Sequence, residues 1–499
     1  MYFPENLIPL ICEEYPPYSA LSDRHQRNIA TMLWMWSDPR SRHTEYSGCV
    51  ALTHRDLKRI WGNSSTAQRV IGEDYFCVLQ GSNLAYRGTS NAYWPYDYLG
   101  RALVRCFCDA SPVRLIDTKS GRAVTKPRSA VASRARSKDG SLKNSVWTGV
   151  PIGKEVPVRP RTVLGFLSTC DDPIELVSAG RLLRLSGNRW TTGMLPLRFE
   201  QKSTGRIYEV FSGVQNMPRK VRETVFAGAW DYDISNCHFS ILGQSAHKAG
   251  YEVPYIDEYL KNKRAIRQRL AKACGCSEDS IKRCLIALEY GAPLNTSKRA
   301  TIGRELGEAG ARVFISDRLV KGLVGDLRRV GKNVIAAMPS HRGRKVNTLG
   351  LDASADKESV LLAHFLQGIE AKALRAVMRR YGETILVPFH DGWLSAQQLD
   401  VKELSSAIEC ETGYRFDIES RLLPVVDECR MQSRNEKEGL EYIYNHILSV
   451  IGGNFCSSNT RPSPSSLVLS ARPAWSRPPG LSGPAASGRK GKKFPRSKS

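Results

Sequence analysis

The segment "ILVPFHDGWLSA", residues 385 to 396, constrains the fold of this 499-residue chain more than any other. Two short apolar runs flank a His-Asp-Gly triplet, which reads as two antiparallel strands joined by a tight turn that Gly392 permits, with Asp391 at its tip. A second acid-bearing strand is expected over 229 to 234, inside "AWDYDISNCHFSIL", where an apolar run ends on Asp233 and passes into a helix over 236 to 249. Asp231 reads as a solvated or supporting acid.

Around these strands the periodicity predicts helix. A basic helix is expected over 256 to 273, a helix over 278 to 290, a long one over 357 to 380, and others near 401 to 413 and 435 to 451. The expected class is α/β, of the α+β kind.

Lysine and arginine outnumber aspartate and glutamate by 73 to 49, a formal net charge of +24. Such an excess suits a polyanionic partner, because clustered cations release counterions from nucleic acid. Residues 118 to 161 hold eleven Lys and Arg against two acids, and 456 to 499 hold nine against none. Both stretches are rich in Ser, Gly and Pro and cannot bury a core, so a flexible basic linker is assigned to 117–162 and a disordered basic tail to 456–499. Residues 1 to 116 read as an aromatic-rich, mainly helical domain. In it, "THRDLKRIWGNSSTAQRVIGE" suits either a helix-turn-helix or two plain core helices.

No run approaches the roughly 18 to 20 apolar residues of a membrane span, and the amino terminus lacks the basic start of a secretory signal. A soluble, cytoplasmic protein with no membrane partner is expected. The 13 cysteines are an odd number without a framework, which favours reduced thiols. The pairs Cys106/Cys108 and Cys274/Cys276 lack the second half of a zinc site.

Three separated features fit one chemistry. Asp233 and Asp391 on adjacent strands would hold two hard divalent cations about 3.5 to 4 Å apart, as in in-line phosphoryl transfer. In "SIKRCLIALEYGA", Lys282, Ile286 and Tyr290 fall four residues apart on one helix face that Gly291 ends. An ammonium and a ring on one face suit a nucleoside triphosphate, the cation on its phosphates and the ring near its base or sugar.

In their order and context these segments resemble the motifs of family A DNA polymerases and, more distantly, those of single-subunit phage and mitochondrial RNA polymerases, over about residues 203 to 428. The segment "STGRIYEVFSGVQNMPRKVRETVF" resembles the family's T-G-R and Q-N-[IM]-P stretch. That match implies Arg206, Gln215 and Asn216 at the primer-template. Asp233 resembles the first catalytic aspartate of D-x-S-x-x-E, with His238 where the family has the glutamate that screens the sugar 2′ position. Lys282 and Tyr290 resemble the triphosphate lysine and its Tyr-Gly partner. The family arginine four residues before that lysine is Glu278 here, so Arg283 or the cluster "KNKRAIRQRLAK" must complete the phosphate clamp. "SHRGRKVN" suggests a nucleic-acid contact for Arg344, and "LLAHFLQGIEAKALRAVMRR" one for Gln367 in the minor groove. In "VPFHDGWLS" His390 would place the primer terminus, and Gly392 replaces the usual glutamate, closer to the RNA enzymes.

The resemblance implies a right-hand polymerase. Palm and fingers would span 231–455, a reduced thumb and palm entry 163–230, and the amino-terminal domain would complete or replace the thumb. It implies a template-directed nucleotidyltransferase using two Mg²⁺ ions, with Mn²⁺ as an alternative, whose partners are nucleoside triphosphates and a DNA or RNA primer-template. DNA synthesis is the leading expectation. RNA synthesis and a non-catalytic nucleic-acid-binding replication protein are the alternatives. "FDIES" reads as a palm strand rather than part of a proofreading nuclease, and the economy of the chain suits a plasmid, virus or other mobile element.

Overall fold

The structure is a computed structural model. It describes residues 1–38, 50–62 without 53, 75–79, 91–124 without 110 and 112, 135–136, 142–143, 145–187, 193–425 without 354 and 356, and 436–452. The second half of the helix-turn-helix candidate and the basic tail lie outside the described residues.

The architecture is mixed helix and sheet, as expected. Its centre is a four-stranded antiparallel sheet of β1 (Trp230–Ile234), β2 (Ile385–Pro388), β3 (Gly392–Ser395) and β4 (Ile418–Leu422), in the order β2-β3-β1-β4. Strand β1 shows why: Tyr232 and Ile234 are buried while Asp231 and Asp233 alternate to the opposite face, the period-2 pattern of a half-buried strand. Tyr232 stacks on Trp393 of the neighbouring strand with ring centroids 5.5 Å apart, and its hydroxyl donates to the Leu399 carbonyl at 3.1 Å.

Seven helices cover this sheet or extend from it: α1 (Cys237–Lys248), α2 (Pro254–Cys274), α3 (Glu278–Glu289), α4 (Thr301–Ser316), α5 (Arg318–Ala336), α6 (Glu358–Tyr381) and α7 (Val401–Thr412). The predicted strand and helices are each found within a few residues of their expected limits, whereas α4 and α5 carried no specific expectation. Helix α6 lies in the core, with Leu362, Leu366, Ile369, Leu374 and Val377 buried along it.

Two expectations need correction and one is extended. The segment assigned to the linker is folded from Ser145 onward: Trp147 is buried and donates its indole N–H to the Gly205 carbonyl at 2.8 Å, and Glu155–Val158 pairs with Gly193–Pro196. Its polar composition masked a few well-spaced anchors, Trp147, Val156 and Val158. The amino-terminal region has more helix than strand among the described residues, and it also carries a small sheet that was not expected. It contains a three-stranded sheet (Val50–Leu52, Asn91–Pro95, Phe76–Leu79) beside the helices Asp23–Trp36 and Asp97–Cys108. The helix Glu436–Gly452, assigned to the polymerase core, packs on Asp97–Cys108 instead. Arg181, from the helix Pro173–Leu185, is buried over the Trp34 ring at 4.5 Å and donates to the Trp34 carbonyl at 3.0 Å, which docks the amino-terminal region on the rest.

Among the described residues no helix is long and apolar enough to cross a membrane. Cys106 and Cys274 are buried free thiols, and burial pushes Cys106 up to about 12 and Cys274 up to about 11.

Candidate active site

Asp233 ends the exposed face of β1, two residues from a sharp joint. Asn236 adopts a left-handed conformation (φ 46°, ψ 46°), which asparagine tolerates better than most residues, and α1 starts immediately after it. The Asn236 side-chain oxygen accepts from Arg267 Nη2 at 2.9 Å, tying the joint to α2. Asp391 arrives from the β2–β3 hairpin, whose tip is fixed to β1 by the Ile234 amide donating to the Asp391 carbonyl at 2.7 Å. Gly392 serves a different purpose from the expected one. It lies at the start of β3, directly opposite Asp233, and a Cβ there would meet the Tyr232 carbonyl oxygen at 2.3 Å. Close strand approach, rather than turn conformation, excludes a side chain, so the absence of a glutamate at this position says nothing about the sugar.

Two cavities meet at these carboxylates. One, of about 700 Å³, is lined by Lys263, Arg264, Arg267, Lys282, Tyr290 and His238. The other, of about 550 Å³, is lined by Gln215, Asn216, Arg219, Arg222, Phe389 and His390. Asp233, Asp391, Lys282 and Glu419 belong to both.

Burial, reinforced by the facing Asp391 charge, pushes Asp233 up to about 7 against the pull of Lys282. Asp391 is likewise raised, by burial first and then by Glu370. Two carboxyl groups that resist joint ionisation at a solvent-open cleft floor lack positive charge, and hard oxygen donors of this kind suit divalent cations. Among the described residues no group of three or more His, Cys, Asp or Glu forms a ready metal cage. A pair of carboxylates is nevertheless the protein share with which Mg²⁺ is commonly bound beside substrate phosphates.

The residues expected on one nucleotide-binding face are only partly brought together. Lys282 and the exposed Ile286 line the larger cavity, and Tyr290 caps α3 just before Gly291, whose φ is +77°. Arg283 does not join them. It faces away, donating to Glu305 at 2.6 Å, because its place next to Lys282 puts it a hundred degrees around the helix. Besides Lys282 and Arg206, the cations that line this cavity come from α2: Lys263, Arg264 and Arg267, all within the predicted basic cluster.

On the other side Gln215 is held at both ends, accepting from the Glu209 amide at 2.7 Å and donating to the Pro388 carbonyl at 2.8 Å. The His390 ring packs on Tyr208 with centroids 4.5 Å apart. Burial, with help from Arg206, pushes it down to about 4, so it is neutral at physiological pH. Arg344 is not brought to the cleft: it lies on a two-stranded ribbon, Ser340–His341 with Arg344–Lys345, and pairs with Asp352 at 3.3 Å.

His238 is the most connected of the predicted residues. Its Nε2 lies 2.7 Å from Glu370 Oε2, and its Nδ1 lies 3.1 Å from the Tyr290 hydroxyl and 3.6 Å from Glu289 Oε2. Burial opposes its charge, but the Glu289 and Glu370 carboxylates facing its two ring nitrogens prevail and raise it to about 9. Arg206 also pairs with Glu370, and Gln367 donates to the Tyr290 hydroxyl at 3.2 Å. Arg206 and Gln367, both expected at nucleic acid, are thus anchored in this buried network.

No family model matches the chain, and none of the curated proteins does. Solved structures do. One is the POL domain of Pol1 from M. smegmatis in complex with DNA primer-template and dNTP, at 14% identity and a TM-score of 0.36. The match covers 52% of this chain and 55% of that one, so the likeness spans about half of each.

Sequence reasoning missed Glu370 and Glu289 and set Glu419 aside as a strand residue. Glu370 stands three residues after Gln367, a spacing that shares a helix face, and apart from Glu358 in the first turn it is the helix's only acid. That signal was available. Glu419 is indeed on a strand, but β4 pairs it with Asp233 across the sheet, and it accepts from Lys263 at 2.6 Å.

Proposed function

We propose that this chain is a template-directed nucleotidyltransferase that extends a primer 3′ end, with deoxynucleoside triphosphates and a DNA template as its preferred substrates. The observation that carries the reading is the meeting of two cavities at Asp233 and Asp391, one walled by cations and the other reaching Gln215, Asn216 and His390. A reaction that joins a triphosphate to a nucleic-acid end needs two such pockets sharing one acidic floor.

In this reading Asp233 and Asp391 would hold two Mg²⁺ ions, which would supply charge neutralisation and activation of the attacking hydroxyl. Lys282, Lys263 and Arg267 neutralise the triphosphate. The neutral His390 packs at the primer terminus, and Tyr290 with His238 meets the sugar of the incoming nucleotide. Asp417 and Glu419 belong to the palm, so no proofreading nuclease is assigned. The amino-terminal region takes the place of a thumb, and replication of a mobile element is the setting the reading favours.

Primer extension with the purified protein, crossing dNTPs and NTPs with DNA and RNA templates in Mg²⁺, tests it. Incorporation that depends on Asp233 is expected, fastest with dNTPs on DNA. A folded protein that binds nucleic acid and incorporates nothing would favour the non-catalytic replication protein.

A further inference from the structure

Glu370 differs from every other ionisable group near the cleft. Its side chain is 1% exposed, yet both groups it pairs with line the larger cavity. One oxygen, Oε2, accepts from Arg206 and faces His238 Nε2 at 2.7 Å, while Oε1 has no hydrogen-bond partner among the described residues.

An imidazole that meets acceptors at both nitrogens is fixed in position and in plane. Here Glu370 takes one nitrogen, and the Tyr290 hydroxyl, backed by Glu289, takes the other. The two rings meet edge to face, 5.5 Å apart at 84°. Holding α1, α3 and α6 together would be a poor use of these charges, since buried ion sets contribute little net stability beyond apolar side chains of similar volume. What they supply is a single location for His238 on the cavity wall.

That location is the sugar end of the cavity. Lys282 and Tyr290 stand eight residues apart along α3 and its cap, about 12 Å at helical rise. A triphosphate at Lys282 therefore brings its sugar to Tyr290, and His238 lies beside Tyr290.

We infer that Glu370 is a positioning residue for sugar selection: from behind the cavity wall it holds the His238 imidazole against the sugar of the incoming nucleotide, and Arg206 holds Glu370. The inference rests on reading the cleft as a nucleotide site. It assigns the selection to a unit drawn from three helices and the loop of Arg206, rather than to His238 alone.

The test is Glu370→Gln, which keeps the volume and removes the charge. Steady-state incorporation of the matched dNTP and rNTP is compared between wild-type and variant full-length protein, with circular dichroism to verify folding. Discrimination between the sugars should fall about tenfold, mostly through KM of the disfavoured nucleotide rather than through kcat. An unchanged ratio, or an equal loss for both sugars, overturns the inference. Should Glu370→Gln fail to fold, Tyr290→Phe removes the hydroxyl from the other ring nitrogen: a reduced ratio supports the inference and an unchanged one overturns it. A wild-type protein that incorporates neither sugar removes the nucleotide reading itself, and this inference with it.

Discussion

Two ionic groups share one cleft and are built on opposite terms. Asp233 and Asp391 face the solvent-open floor, raised above ordinary carboxylates by burial and by neighbouring carboxylates that the nearby cations only partly offset. Glu370, His238 and Arg206 are buried behind the wall and balance one another, with Glu370 held down at about 2 and His238 up at about 9. Charge left uncompensated in the open is where a cationic ligand gains most, whereas charge compensated within the protein fixes geometry.

The largest test of this contrast is Asp233→Ala or Asp391→Ala. Either should reduce extension by about a thousandfold or more, since the cations lose half of their protein anchors, while template binding measured by fluorescence anisotropy stays within about threefold. Appreciable extension by either variant would remove the metal assignment.

Lys282→Ala should raise KM for the triphosphate about tenfold, as expected for loss of a charge-assisted phosphate contact. An unchanged KM would move the phosphates to the cations of α2.

The closed group should show itself in alkaline solution. His238 has a folded-state value of about 9 against an ordinary 6.5, so its stabilising contribution is complete below 6.5 and lost as pH rises through about 9. Chemical denaturation between pH 7 and pH 9.5 should reveal a loss of about 2 to 3 kcal/mol that His238→Gln lacks. Equal slopes in the two proteins would contradict a charged His238.

The open group behaves in the opposite sense. Asp233 keeps its proton up to about 7 against an ordinary 3.8, so it favours the folded state in acid and costs stability as pH rises between those values. Mg²⁺ should offset that cost, raising Tm by about 1 to 3 °C at pH 8 and by less at pH 5.5. Asp233→Asn should abolish the difference. The smallest effect is expected from Arg283→Ala and Arg344→Ala, which should leave incorporation within about twofold because neither side chain reaches the cleft.

Much of this was legible in advance. The strand that ends on Asp233, the hairpin that carries Asp391 and the helix that carries Lys282 follow from local periodicity and turn chemistry, which act over a few residues. Arg283 shows the limit of reading neighbours along a chain: adjacent residues on a helix face different ways, and the useful cations came from a separate helix. Trp147 shows another, since a polar stretch needs only a few anchors to join a core.

The sequence by itself determined which side chains are available, an acid at each strand end and a lysine and tyrosine on one helix face, because those patterns are set by backbone period. Only the tertiary structure decided which charges meet. It laid Glu419 opposite Asp233, brought Glu370 under His238 from a helix more than a hundred residues away, and made Gly392 obligatory through the close approach of β1. Electrostatic and steric interactions depend on distance in space, and chain separation carries little of that information.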